Sequence, residues 1–178
     1  MDLDAFLWLL ARVAGLSSFA SLSIALLTGV ALRTDVLAWL SHRRAVRSLH
    51  EFTVVFWLPL AGLHVSALLL DQTARIGVLD LVVPFRAPYG TVAIGLGTLS
   101  FELLALVTIT GWLRRHMQPP LWRLAHRTAY AAFGLLFVHS VLGGTDFSDP
   151  AVSALTWSVA FALAVLSFAR FYWRRLPA

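Results

Sequence analysis

Four histidines carry most of the chemistry that this sequence offers. His50 and His64 lie fourteen residues apart in one apolar stretch, and His126 and His139 lie thirteen apart in another. On α-helices, which rise about 1.5 Å per residue, each pair is separated by roughly 20 Å along its helix axis. Imidazole is a ligand of haem iron, and a neutral ring brings no charge into an apolar environment. We therefore expect two pairs of haem-ligating histidines at two levels of a helical bundle.

The spacing within each pair decides whether one helix face can serve both levels. At about 100° per residue, His64 lies within about 40° of His50, so one face of its helix can serve both. His139 lies about 140° from His126 on a straight helix. Either that helix is distorted, with Gly134 as the candidate position, or the two haems approach it from different sides.

The composition is that of a membrane protein. Of 178 residues, 59% are hydrophobic, and the mean hydropathy is +0.79. The chain has no cysteine, which excludes disulfides, iron–sulfur clusters, thiolate zinc sites and c-type haem attachment. Five apolar segments are long enough to cross a hydrocarbon core about 30 Å thick, which predicts an all-α integral membrane protein with a five-span helical bundle. The segments are 7–32, 48–70, 90–113, 121–143 and 151–173.

The arginines predict the orientation of this bundle. All 14 basic residues are arginine, and the formal net charge is +5. They concentrate in the first and third connections and at the C-terminal end, whereas the N-terminus and the fourth connection are acidic. Because short arginine-rich loops stay in the cytoplasm, we expect the N-terminus outside and the C-terminus in the cytoplasm. The charge thus indicates membrane lipid, and no nucleic acid, as the partner. Ten of the 14 arginines lie in these three regions: Arg33, Arg43, Arg44, Arg47, Arg114, Arg115, Arg123, Arg170, Arg174 and Arg175.

This orientation places the histidines at two defined levels. His50 and His126 fall at the cytoplasmic level, and His64 and His139 fall at the outer level. Two ligands per iron leave no open coordination position, which favours electron transfer over chemistry on a bound substrate. We therefore assign no catalytic residue to the chain.

Haem propionates need cationic partners near the membrane surface. At the cytoplasmic level Arg127 is favoured, because it directly follows His126, and Arg47 is assigned with it. The other candidates there are Arg43, Arg44 and Arg123. Arginines at the ends of spans are equally explained as signals of topology. The remaining histidines, His42 and His116, lie in basic loops, where a solvated surface side chain is the simpler interpretation.

Other interpretations of the four histidines stay open. A histidine inside a membrane span can hydrogen-bond a neighbouring helix without binding a cofactor. Four histidines in two depth-matched pairs are harder to explain in this way. The two alternatives are a quinol-linked respiratory cytochrome b subunit and a five-span scaffold or assembly protein without a cofactor.

The histidine spacing also resembles that of a known family. H-x13-H on one helix and H-x12-H two helices later match the ferric reductase-like transmembrane domain. That superfamily includes the NADPH oxidases, the ferric reductases and the haem-binding membrane subunit of the bacterial methionine sulfoxide reductase system. The run from Trp122 to Tyr130, W-R-L-A-H-R-T-A-Y, is similar to the W-R-x-L-H-R-x-x-Y run of bacterial members. The resemblance covers most of residues 10–173.

The resemblance implies two haem b groups, an inner one held by His50 and His126 and an outer one held by His64 and His139. It implies transmembrane electron transfer by the membrane subunit of a ferric reductase-like system, in the bacterial inner (plasma) membrane. Fuller members carry an FAD- and NAD(P)H-binding domain after the last span. We expect residues 1–178 to form a single transmembrane di-haem cytochrome b domain without it. A separate donor, either a flavoprotein or a quinol, and an extracytoplasmic acceptor or partner enzyme are then required.

Overall fold

The described part of the chain folds into five long α-helices. The structure, a computed structural model, describes residues 2–33, 42–73 and 75–173; of these 85% are helical and none lies in a strand. The arginines Arg174 and Arg175, which contribute to the predicted orientation, lie outside the described residues. The helices are α1 (Leu3–Ala31), α2 (Arg43–Leu70), α3 (Thr91–Trp112), α4 (Pro119–Gly143) and α5 (Pro150–Trp173).

Each of the five predicted apolar segments coincides with one of these helices. Four of the helices, α1, α2, α3 and α5, are long and apolar enough to cross a membrane, which indicates a membrane protein. α4 has 25 residues, which is sufficient in length. Its most apolar stretch is less apolar than that of each of the other four, because His126, Arg127 and His139 interrupt it. The count of four candidate spans is therefore one lower than the predicted five.

Local sequence signals define where the later helices begin. α3 follows Gly90, which adopts the left-handed conformation with φ +54°, a conformation that glycine tolerates without strain. α4 begins with two prolines, at positions where a missing backbone N–H leaves no helical hydrogen bond unmade. Before α5, the Asp149 carboxylate accepts hydrogen bonds from the backbone N–H groups of Ala151 (2.8 Å) and Val152 (3.1 Å). These are N-capping contacts.

The helices contribute to two compact units. The first unit contains Met1–Ser17 and Pro59–Thr145, and the second contains Ser18–Leu58 and Asp146–Ala178. His64, His126 and His139 therefore belong to the first unit, and His50 belongs to the second.

In the first unit, α3 and α4 pack against each other through small residues. Ser100 is fully buried and donates its hydroxyl to the carbonyl of Ala132, 2.8 Å away and equally buried. Further along, a methyl group on Gly143 would lie 3.5 Å from Cβ of Ala93. Because an earlier residue of α3 faces a later residue of α4, the two helices are antiparallel. Small residues and interhelical hydrogen bonds of this kind are typical of helix packing in membranes.

The connection between α2 and α3 is also attached to α3. It contains a short 3₁₀ helix, Val78–Leu81. The carbonyl of Asp80 accepts a hydrogen bond from the hydroxyl of Thr98 (3.0 Å). The Asp80 carboxylate accepts the N–H of Gly77 at 2.8 Å and pairs with Arg86 at 3.4 Å. The connection therefore packs onto the first turns of α3.

In the second unit, the later part of α1 packs against the earlier part of α2. The buried hydroxyl of Ser21 donates to the carbonyl of Thr53, 3.0 Å away. The ring of Phe19 meets that of Phe147 edge to face, with centroids 6.4 Å apart. On α5, by contrast, Phe161 and Phe168 are 71% and 68% exposed. Side chains as apolar as these suit contact with lipid.

The interface between α3 and α4, which is formed by small residues, generates a prediction about stability. We expect Ala132→Leu to lower the free energy of unfolding by about 1–3 kcal/mol, because no space exists at this fully buried position for the added atoms. Ala131→Leu, one position away and exposed, is the matched control. Thermal or SDS-induced unfolding in detergent measures both variants. Equal stability of the two would contradict the packing described.

Candidate functional site

His64 and His139, which the sequence assigns to the outer level, lie side by side in the first unit. His64 is on α2 and His139 is on α4. Their ring centroids are 6.5 Å apart, and the ring planes are inclined at 80°. Both side chains are partly buried. Residues separated by 75 positions in the sequence are thus brought within the range of a shared ligand.

Each of these two rings is oriented by a backbone carbonyl of a neighbouring helix. Nδ1 of His64 donates to the carbonyl of Ala11 on α1, and Nδ1 of His139 donates to the carbonyl of Ala93 on α3, both at 2.7 Å. A carbonyl can only accept, so Nδ1 must carry the proton. In a neutral imidazole the lone pair then lies on Nε2, the nitrogen that remains available to a metal. Metal-ligating histidines are commonly held by this kind of hydrogen bond.

The distance between the two rings is compatible with one metal ion held by both. A metal ion lies about 2 Å from a coordinating imidazole nitrogen, so two rings that held one ion between them would have centroids up to about 6 Å apart. The centroids of His64 and His139 are 6.5 Å apart.

A haem needs only two protein ligands, because the porphyrin supplies four nitrogens. Over residues 2–33, 42–73 and 75–173, no group of three or more His, Cys, Asp or Glu side chains converges as it would around a metal ion held by side chains alone. The residues that do converge are one imidazole from each of two helices.

His50, in the second unit, repeats the arrangement of His64. Its Nδ1 lies 2.8 Å from the carbonyl of Ala25 on α1 and 3.3 Å from the hydroxyl of Thr28. That hydroxyl itself donates to the carbonyl of Ile24 at 2.6 Å. The Ala25 carbonyl therefore assigns His50 a protonated Nδ1 as well.

His126 has different surroundings. Its ring stacks on the indole of Trp122, one helical turn earlier, with centroids 5.1 Å apart and planes 18° apart. The guanidinium of Arg114 lies 4.4 Å from the same indole, which forms a cation–π contact. Because His126 and His50 belong to different units, their pairing at one haem stays a prediction.

Arg47 and Arg127, the predicted propionate partners, are both exposed. Exposure leaves them accessible to an anionic group, and it equally suits the ends of membrane helices. Their role stays a prediction.

Sequence reasoning missed the groups that orient the histidines. The carbonyls of Ala11, Ala25 and Ala93 are backbone atoms, and no side chain marks them in a sequence. It also missed the contacts of Trp122 with His126 and with Arg114. The first of these has a signal in the sequence, because residues four apart on a helix are neighbours.

Comparison with known proteins finds no match for this chain among family models, curated proteins or solved structures. The resemblance to the ferric reductase-like domain therefore depends on the histidine spacings and on the run from Trp122 to Tyr130.

Proposed function

We propose that this chain is the haem-binding membrane subunit of an electron-transfer system. His64 and His139 ligate an outer haem b, and His50 and His126 ligate an inner one. The observation that supports the proposal best is the approach of His64 and His139 to 6.5 Å, with both Nδ1 atoms occupied by carbonyls. A histidine that only joined two helices would not need a second histidine facing it across that distance.

The residues of the chain have three tasks in this function. The imidazoles hold the iron through Nε2, and the carbonyls of α1 and α3 prevent the rings from turning away. The apolar helices keep water from the ligands and thereby keep the site in a low dielectric. When bound, a bis-histidine haem accepts and returns one electron and leaves no coordination position for a substrate.

The function also requires that α4 cross the membrane, since it carries two of the four ligands. A fifth span agrees with an N-terminus outside and a C-terminus in the cytoplasm, as the arginines predict. Histidine and arginine are expensive inside a span and mark functional positions there. The same residues that make α4 less apolar than its neighbours are thus the ones that the proposal uses.

The proposed subunit works between two partners. A flavoprotein or a membrane quinol supplies electrons on the inner side, and an extracytoplasmic acceptor or partner enzyme consumes them. The bacterial inner membrane is the proposed location.

Haem quantitation tests the outer site. We expect the purified protein to contain two b haems per chain with bis-histidine reduced-minus-oxidised spectra. His64→Ala and His139→Ala are each expected to lose about one of the two, and the double variant is expected to lose no more than either, because both residues hold the same iron.

His116→Ala is the matched control for this experiment, since His116 is exposed and lies in a connection between helices. It should retain both haems. A protein that binds no haem, or one whose haem content is unaffected by the variants at positions 64 and 139, would favour the cofactor-free scaffold.

Cysteine labelling tests whether α4 crosses the membrane. Because the chain has no cysteine, Gln118→Cys and Ser148→Cys each introduce a single thiol, one before α4 and one after it. Both positions are exposed, and Gln118 makes no side-chain capping bond. We expect an impermeant maleimide added to intact cells or right-side-out vesicles to label position 148 and not position 118, unless the membrane is opened. Labelling of both from one side would rule out the fifth span.

A further inference from the structure

Each of the three histidine–carbonyl hydrogen bonds lies beside a glycine. In an α-helix the carbonyl of residue i bonds the N–H of residue i+4, so residue i+4 flanks any second donor to that carbonyl. In all three cases the flanking residue has no side chain. The alanine and glycine pairs are Ala11 with Gly15, Ala25 with Gly29, and Ala93 with Gly97.

A methyl group at these glycines would meet the imidazole. At Gly97 it would lie 2.6 Å from Nδ1 of His139, and at Gly15 it would lie 2.9 Å from Nδ1 of His64. At Gly29 the nearest atom would be Cε1 of His50, at 3.2 Å. Carbon atoms in favourable contact are about 3.5–4.0 Å apart, so a methyl group would push each ring away from its carbonyl. The displacement decreases in the order Gly97, Gly15, Gly29.

Among the other glycines within the helices, Gly95 lies equally close to a neighbour, the ring of Phe85, and Gly143 makes an ordinary contact with Ala93, but none of these glycines lies against an imidazole. A methyl group at Gly62, Gly111 or Gly134 would have no neighbouring atom within 4 Å. Close approach to a neighbouring group is therefore not a general property of glycines in these helices.

The level of His126 is constructed differently. His126 lies thirteen residues before His139 on α4. Because α3 is antiparallel to α4, the same step runs thirteen residues forward along α3. It leads from Ala93 to Leu106 and from Gly97 to Thr110. The Thr110 hydroxyl donates to the carbonyl of Leu106 at 2.7 Å. In the sequence register of α3, a threonine thus follows Leu106 by four residues where a glycine follows Ala93, and the Leu106 carbonyl already has a side-chain donor.

We propose that Gly15, Gly29 and Gly97 are positioning residues for the haem ligands. By leaving space beside a carbonyl, each lets an imidazole make its Nδ1–H bond, which selects the tautomer and sets the donor strength of Nε2. The proposal rests on the proposed function, because it assigns to that bond an effect on the iron.

The effect on the iron has a definite sign. A hydrogen bond from Nδ1–H makes the imidazole more basic, and a more basic ligand stabilises the ferric state and lowers the reduction potential. Displacing the ring from its carbonyl therefore raises the potential of the haem that the ring ligates. It also weakens haem binding, by about tenfold or more if the effect is that of other outer-shell substitutions.

Redox titration of glycine variants tests the proposal. In Gly97→Ala and Gly15→Ala we expect the outer haem to rise in potential or to be lost, more strongly in Gly97→Ala, while the inner haem keeps its potential. Gly29→Ala should alter the inner haem alone, and by the smallest amount. Gly134→Ala on α4 and Gly62→Ala on α2 are the controls, which should titrate as the unmodified protein does.

Two outcomes would overturn the proposal. One is a Gly97→Ala protein whose potentials match those of Gly134→Ala; the other is an equal shift of both haems, which would indicate a general loosening of the helices. If Gly97→Ala does not accumulate, Gly15→Ala provides the same comparison, since its methyl group is less crowded.

A second measurement separates failure of this proposal from failure of the proposed function. Histidine ¹⁵N and ¹H spectra of the reduced protein report the hydrogen-bonded Nδ1 proton of His139, which Gly97→Ala should weaken and Gly134→Ala should not. A protein that binds no haem would refute the proposed function. The same spectra would still show whether Gly97 permits the hydrogen bond from Nδ1 of His139. If the signal of the His139 Nδ1 proton is unchanged in Gly97→Ala, the positioning role of Gly97 is refuted, even in a protein that binds both haems.

Discussion

The structure depends on one recurring interaction, a hydrogen bond from a histidine Nδ1 to a backbone carbonyl of the adjacent helix. Within the first unit it joins His64 to α1 and His139 to α3, and within the second it joins His50 to α1. In an apolar medium an unsatisfied polar group costs several kcal/mol. A carbonyl has two lone pairs, so it can keep its helical bond and accept the imidazole as well. The bond therefore holds helix to helix and fixes the orientation of the imidazole at the same time.

The five helices could be predicted because their signal is local. Continuous apolar sequence, two prolines at the start of α4 and Asp149 before α5 are sufficient to define them. Hydropathy is a weaker guide where a helix contains functional groups, as α4 shows: its length was predicted, yet only the other four helices are apolar enough to be counted as spans. His126, Arg127 and His139, which suggest the function, lower the hydropathy on which the count of membrane spans depends.

The candidate site could be predicted in part. The spacing of the histidines implies a common depth for His64 and His139, and the structure places these two rings beside each other. The partners of Nδ1 could not be predicted, since a backbone carbonyl has no residue type. An indirect signal exists nevertheless. The Ala-x3-Gly spacing at Ala11 and Gly15 recurs fourteen residues later at Ala25 and Gly29, and fourteen is also the separation of His50 from His64. The repeat can be interpreted only once the structure shows that α2, which carries His50 and His64, packs beside it.

The contacts between α3 and α4 have a consequence for how the protein is made. On insertion scales a charged residue near the middle of a span costs about 2.5–3.5 kcal/mol, so a helix that contains Arg127 and two histidines enters lipid poorly by itself. α3 is apolar, precedes α4 directly and offers Ser100 and Ala93 as partners for Ala132 and His139. If α4 crosses the membrane as proposed, we expect α3 and α4 to enter the lipid together as a helical hairpin. In that case α3 assists the insertion of the span that carries two of the proposed ligands.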